Sequence, residues 1–184
     1  MIWNNNTLSA GNISRSKLLL NLLLVLWYFF VFSKLNTGIG DEIMFCTMDA
    51  GSYMEVANWI SAGTDSMFVE HRPFLFPLIL LVLNKIGGAF MIWLFQFILW
   101  IVSINLVYAS IRRLTGKKVY AYVGAAILAI NISLITLTLH ALTEITTVFL
   151  LAGLLYFFVK NIQKRRELFF IHRVLLFFVV LTLI

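Results

Sequence analysis

The sequence predicts an all-α protein: a polytopic bundle of transmembrane helices with interfacial juxtamembrane helices in the first extracytoplasmic loop. Of its 184 residues, 61% are hydrophobic and only 12% are charged, whereas a soluble domain is nearer half apolar and a quarter charged. The basic residues stand in short clusters between apolar runs, as membrane topology requires. The net charge of +6 therefore indicates contact with membrane lipids and not with nucleic acid.

Apolar runs set the predicted spans, at about 18–33, 89–110, 119–139 and 145–160, with an incomplete one at 174–184. An eleven-residue helix reaches about 17 Å, roughly half of a bilayer. We therefore expect residues 1–184 to be the N-terminal part of a longer transmembrane module. Residues 34–88 are predicted to form an outer loop that carries surface or re-entrant helices.

Charge decides how residues 73–86 are placed. As a helix this segment is about 21 Å long, short of the roughly 30 Å hydrocarbon core. Basic clusters follow residue 110 and residue 159, and both would lie outside if 73–86 crossed the membrane, against the positive-inside bias. The segment is therefore predicted to lie in or dip into the outer leaflet. The N-terminus is then cytoplasmic, and residues 33–72 and the turn at 140–144 share the outer side.

The acidic residues are unevenly distributed. Six of the eight fall between residues 41 and 70, and a seventh, Glu144, lies at the second outer turn. Acidic residues tend to stay out of the membrane, and this tendency explains the six in the loop without any catalytic role. It explains Glu144 less well, because a carboxylate beside two apolar spans is costly unless it lies at the surface or has a partner.

Residues 49–63, "DAGSYMEVANWISAG", are predicted to form a short amphipathic helix at the membrane surface. Asp49 is a candidate N-cap, and Gly63 is a natural stop. An apolar stripe recurs at spacings of three and four residues, through Tyr53, Val56 (with Ala57) and Ile60. These structural roles explain the pattern without assigning any catalytic function to the helix.

The order of motifs adds a resemblance. An acidic residue is followed by Tyr, Ala and Gly, then by Arg-Pro and an apolar stretch that ends in Gly-Gly: Asp49, Tyr53, Ala57, Gly63, Arg72, Pro73 and "LVLNKIGG". This resembles the first outer loop of GT-C class membrane glycosyltransferases, such as protein O-mannosyltransferases and lipid A aminoarabinose transferases. Phe74 stands where a second proline is usual, and Glu144 fits the second acidic position. The resemblance covers roughly residues 17–160.

The resemblance implies transfer of a sugar from a polyprenyl-phosphate donor to an acceptor hydroxyl on the extracytoplasmic face. It implies inversion at the sugar carbon with a single carboxylate base, Asp49. Arg72 would pair with the lipid phosphate, although plain anchoring at the interface explains it equally well. Tyr53 would line the substrate site, and Glu144 would either bind a sugar or acceptor group or be only a surface carboxylate. Asp41 and Glu42 are rivals for the base. However, neither is followed by both Ala and Gly at the spacings that Ala57 and Gly63 have after Asp49.

The implied site leaves several identities open. His140 lies four residues before Glu144, one helical turn away, so the two could ligate a divalent cation; no other cofactor is expected. The acceptor could be a protein, a lipid or a glycan. The implied location is the bacterial plasma (inner) membrane, as a multi-pass integral protein.

Two other classes of function compete with the enzyme. A transporter or flippase of lipid-linked sugars would place ionisable groups at mid-bilayer, whereas these spans are nearly free of charge. In a non-enzymatic membrane subunit, the loop acids would only be solvated.

Overall fold

The structure is a computed structural model that describes residues 10–63 and 67–164, with side chains described from 17 to 63 and from 67 to 162. The described part is helical without strands, which confirms the all-α prediction. Its helices are α1 (Ala10–Leu35), α2 (Asp41–Met44), α3 (Met48–Ala62), α4 (Leu75–Thr115), α5 (Lys118–Ala129), α6 (Ile132–Leu137) and α7 (Glu144–Lys164). The predicted span at 174–184 lies outside the described residues.

The chain divides into two compact units, residues 1–36 and 37–184. The first contains α1, of which Lys17–Leu35 is long and apolar enough to cross a membrane, in agreement with the predicted span at 18–33. Its leucine-rich sequence favours the helix. Asn36, with φ 50°, adopts the left-handed conformation that commonly ends a helix.

In the second unit, α3 follows the predicted helix closely, but its cap is different. The side chain of Thr47 accepts a hydrogen bond from the backbone N–H of Ala50, at 3.1 Å. The prediction of Asp49 as N-cap was therefore wrong, because Thr47 has the extended backbone of a cap and already satisfies the first turn. Asp49 is the second residue of the helix, and its carboxylate is available for another partner. Gly63, with φ 65°, ends the helix as predicted.

The predicted apolar stripe of α3 is confirmed at three of its four positions, and the fourth, Ile60, is half-buried. Tyr53, Val56 and Ala57 are buried, and α3 packs against α4. The ring of Tyr53 meets Phe76, in the first turn of α4, edge to face at a centroid distance of 5.1 Å. Burial of this stripe fixes which face of α3 remains open to solvent.

α4 joins two segments that were predicted separately, 73–86 and 89–110. A straight helix of 41 residues would be about 61 Å long, twice the hydrocarbon thickness. The backbone leaves helical geometry at Gly87 and Gly88, and Gly88 has φ 61°, which a residue with a side chain rarely adopts. α4 is thus two arms, the first of residues 75–86 and the second of residues 89–115, joined at Gly87 and Gly88.

The predicted span at 119–139 is not one continuous helix. α5 ends at Ala129, and α6 begins after Asn131, whose side chain accepts a hydrogen bond from the Leu134 N–H at 3.4 Å. A capping asparagine starts a new helix where the apolar pattern suggested continuation. α5 packs on α4, with which it shares the close Tyr108–Tyr122 ring contact of 5.1 Å.

α7 and the second arm of α4 run parallel and are joined at both ends. The side chain of Gln96 donates to the backbone carbonyl of His140, just before α7. Near the other end, Arg113 Nη2 donates to the Tyr156 hydroxyl at 3.3 Å. From Gln96 to Arg113 a helix rises about 26 Å, close to the roughly 30 Å hydrocarbon core. Both α4 and Glu144–Ile162 of α7 are apolar enough to cross a membrane.

Candidate functional site

The folded chain brings together three of the predicted site residues. Arg72 forms an ion pair with Asp49, from Nη2 to Oδ1. Its Nη1 lies 3.5 Å from the Tyr53 hydroxyl, and its Cζ lies 4.6 Å from the centroid of the Tyr53 ring. A cation over an aromatic face and beside a carboxylate is held from two directions.

Local structure positions each member of this cluster. Asp49 and Tyr53 are four residues apart on α3, so both project from the same face. Arg72 comes from a turn in which its backbone N–H donates to the carbonyl of Phe68 at 3.0 Å. Pro73 follows and α4 begins at Leu75, so the turn directs Arg72 back towards α3.

The cluster is open on the side of Asp49. The Asp49 side chain is 62% exposed, whereas that of Arg72 is 24% exposed, and Tyr53 is buried. Burial acts to lower the pKa of Arg72, but the hydrogen bond to Asp49 and the neighbouring Tyr53 outweigh it and raise the pKa. The site therefore presents a permanent cation, backed by an aromatic ring, to a ligand arriving from solvent.

The rival carboxylates are placed differently. Asp41 and Glu42 are exposed in the first turn of α2. Within the described ranges, neither forms an ion pair with a basic side chain, whereas Asp49 does. Among these three carboxylates, only Asp49 is thus paired with a guanidinium in the described part of the chain.

His140 and Glu144 stand apart from this cluster: no hydrogen bond or ion pair joins either of them to Asp49 or Arg72 in the described part of the chain. His140 Nδ1 lies 2.9 Å from the carbonyl oxygen of Ile43 and 3.5 Å from Cys46 Sγ. Since a carbonyl only accepts, Nδ1 is the donor in this contact, and in the neutral imidazole the lone pair then lies on Nε2. Glu144 is exposed at the start of α7.

These two side chains offer a limited set of metal ligands. His140 Nε2 and the Glu144 carboxylate are each chemically suited to a divalent cation. Among residues 10–63 and 67–164, no group of three or more His, Cys, Asp or Glu is assembled that could hold one. A cation at this pair would need further ligands from substrate or water, and the metal stays a prediction.

The sequence analysis missed Gln96, which joins α4 to the turn that precedes α7. Its side chain is buried and donates to the His140 carbonyl, while the Ala141 N–H donates to the carbonyl of Met44 at 2.9 Å. The signal was one amide within the apolar run "WLFQFILW", since a polar side chain in a span usually has a partner. Residues 41–46 and the turn at 140–144 therefore lie at the same end of the unit, and their shared extracytoplasmic side stays a prediction.

Comparison with known proteins identifies one family. Residues 71–182 match the family described as dolichyl-phosphate-mannose-protein mannosyltransferase. The matched segment contains Arg72, His140 and Glu144 and begins after Asp49 and Tyr53. Comparisons with curated proteins and with solved structures give no match.

Proposed function

The chain belongs to the dolichyl-phosphate-mannose-protein mannosyltransferase family, and on that premise we propose that it transfers a sugar from a polyprenyl-phosphate donor to an acceptor hydroxyl on the extracytoplasmic face. The family description favours mannose as the sugar and dolichyl phosphate or a related polyprenyl phosphate as the carrier. The observation that carries the proposal is the Asp49–Arg72 pair packed on Tyr53.

Arg72 suits the phosphate of the donor. A guanidinium presents a planar fork of N–H donors that matches two phosphate oxygens. Partial burial of Arg72 strengthens such charge-assisted bonds, and the Tyr53 ring holds the plane of the guanidinium. Its place just before the apolar α4 sets it beside membrane lipids, where the headgroup of a lipid-linked donor would lie.

Asp49 suits the acceptor. The acceptor oxygen attacks the anomeric carbon from the face opposite the phosphate, and a new C–O bond forms. The old C–O bond breaks, and its electron pair leaves with the phosphate. The acceptor proton passes to an oxygen of Asp49, which acts as general base. Because the phosphate leaves readily, one carboxylate is sufficient, and displacement in one step inverts the anomeric configuration.

Glu144 and His140 are proposed for a secondary role at the same end of the unit. The Glu144 carboxylate can accept hydrogen bonds from hydroxyls of the sugar or the acceptor. With His140 Nε2 it can also contribute to a divalent cation, whose chemistry would be to neutralise phosphate charge. The acceptor (a protein, a lipid or a glycan) is left to experiment.

The base assignment is tested by transfer of radiolabelled mannose from polyprenyl-phosphate mannose to the membrane acceptors of the full-length protein. Asp49→Asn is expected to reduce the rate by about 10²–10⁴-fold, the usual contribution of a general base. Glu55→Gln is the matched control, because Glu55 is another exposed acid of α3. Wild-type transfer by Asp49→Asn would refute the assignment.

A further inference from the structure

One carboxylate oxygen of Asp49 is already occupied in the structure. Oδ1 receives the Arg72 guanidinium, and the same guanidinium is the group proposed for the donor phosphate. A carboxylate bound to Arg72 has fewer lone pairs for the acceptor proton. Arg72 bound to Asp49 likewise has fewer N–H groups for phosphate.

We propose that Asp49 competes with the donor phosphate for Arg72, so that donor binding displaces the carboxylate and frees it to act as base. This inference rests on the function proposed above and adds an order of events. The donor binds first, and the acceptor proton is removed only when the phosphate is in place.

The contacts indicate which member of the pair moves. Arg72 is held by the Tyr53 ring, with Cζ 4.6 Å from the ring centroid, and Tyr53 is fixed against Phe76. Asp49 has a 62% exposed side chain and projects from the surface of α3. Rotation of Asp49 would carry an already exposed side chain further into solvent, whereas movement of Arg72 would break its contact with the Tyr53 ring.

Charge favours exchange over the joint binding of both anions. A phosphodiester and a carboxylate at one guanidinium repel each other at short range. The phosphate can engage the guanidinium through two oxygens, so it can replace the single Nη2–Oδ1 bond. An ion pair whose carboxylate is exposed contributes little free energy, so breaking it opposes the exchange only weakly.

The test is the affinity of sugar-free polyprenyl phosphate for the full-length protein in nanodiscs. Removal of the competing carboxylate in Asp49→Asn is expected to tighten binding by about two- to fivefold, the range that an exposed ion pair allows. Asp49→Ala is expected to do the same and removes the hydrogen-bond acceptor as well. Glu55→Gln should leave the affinity unchanged, and Arg72→Gln should weaken it.

The outcomes separate this inference from the proposed function. Unchanged or weaker binding by both Asp49 variants would overturn the competition, whereas their loss of transfer would still support Asp49 as base. If both variants transferred sugar normally, the proposed function of Asp49 would fail, and with it the order of events. Tighter binding together with lost transfer supports both. Tighter binding by Glu55→Gln as well would mean that the effect is only one of net charge, and would overturn the specific competition.

Discussion

The guanidinium of Arg72 lies over the ring of Tyr53, with Cζ 4.6 Å from the ring centroid, while its Nη2 pairs with Asp49. Two residues of one helix thus hold an arginine from a turn 19 or more positions later in the chain. The arrangement depends on the shape of the guanidinium as well as on its charge, and the first prediction follows from that.

Arg72→Lys is expected to reduce kcat/KM for the lipid-linked donor by about 10-fold or more. An ammonium keeps the charge but cannot bind two phosphate oxygens as a planar fork or stack on Tyr53, and a charge-assisted hydrogen bond is worth about 1.5–3 kcal/mol. Initial rates at a series of donor concentrations measure the change. His71→Gln, at the exposed neighbouring position, is the control. Equal efficiency of wild type and Arg72→Lys would show that only charge matters here.

Tyr53→Phe and Tyr53→Ala are expected to differ sharply. The hydroxyl contact of 3.5 Å is long, so Phe should retain most of the activity. Ala removes a buried ring that packs on Phe76, and truncation of a buried aromatic residue costs about 3–5 kcal/mol. The Tm of the purified protein should fall clearly for Ala and little for Phe. A similar Tm for both variants would contradict the packing role of the ring.

Gly88→Ala is expected to lower stability by about 1 kcal/mol or more. Gly88 has φ 61°, where a β-carbon is strained. The Tm of the purified protein measures the loss. Gly153→Ala in α7 is the matched control, because a β-carbon there meets nothing within 4 Å. A larger loss for Gly153→Ala than for Gly88→Ala would refute the role of the break.

Thiol labelling tests the predicted sidedness of the membrane. With Cys46→Ala as background, an impermeant reagent on intact cells should label Asn58→Cys, on exposed α3, and should not label Thr115→Cys. Thr115 lies at the end of α4 that carries Arg112 and Arg113, which the positive-inside rule places in the cytoplasm. Permeabilised cells should label both. The reverse pattern on intact cells would invert the topology and remove the site from the outer surface.

Local patterns accounted for much of the fold. Apolar runs predicted α1, the second arm of α4 and α7, because helix length and hydropathy are properties of contiguous residues. The stripe of α3 and its stop at Gly63 followed from periodicity and from the freedom of glycine. The break in α4 was marked by two adjacent glycines, Gly87 and Gly88.

Other features depended on competition between neighbouring groups. Thr47 replaced Asp49 as the cap because both can bond a first-turn N–H and the backbone of Thr47 has the required geometry. Asn131 divided the predicted span at 119–139 for a similar reason. Apolar composition is the same for one helix or two, so hydropathy did not reveal this division.

Composition and hydropathy were enough to indicate a membrane protein. The resemblance of the first outer loop to GT-C glycosyltransferases supplied the candidates Asp49, Tyr53, Arg72 and Glu144, and the spacing from Glu144 added His140. They did not indicate that Arg72 pairs with Asp49 across 23 positions, or that Gln96 joins α4 to the His140 turn. The first contact arises because burial of the α3 stripe on α4 brings Asp49 close to the turn that carries Arg72, and the second accompanies the packing of α7 on α4. A linear sequence carries the side chains, but the packing of one helix on another sets which of them meet.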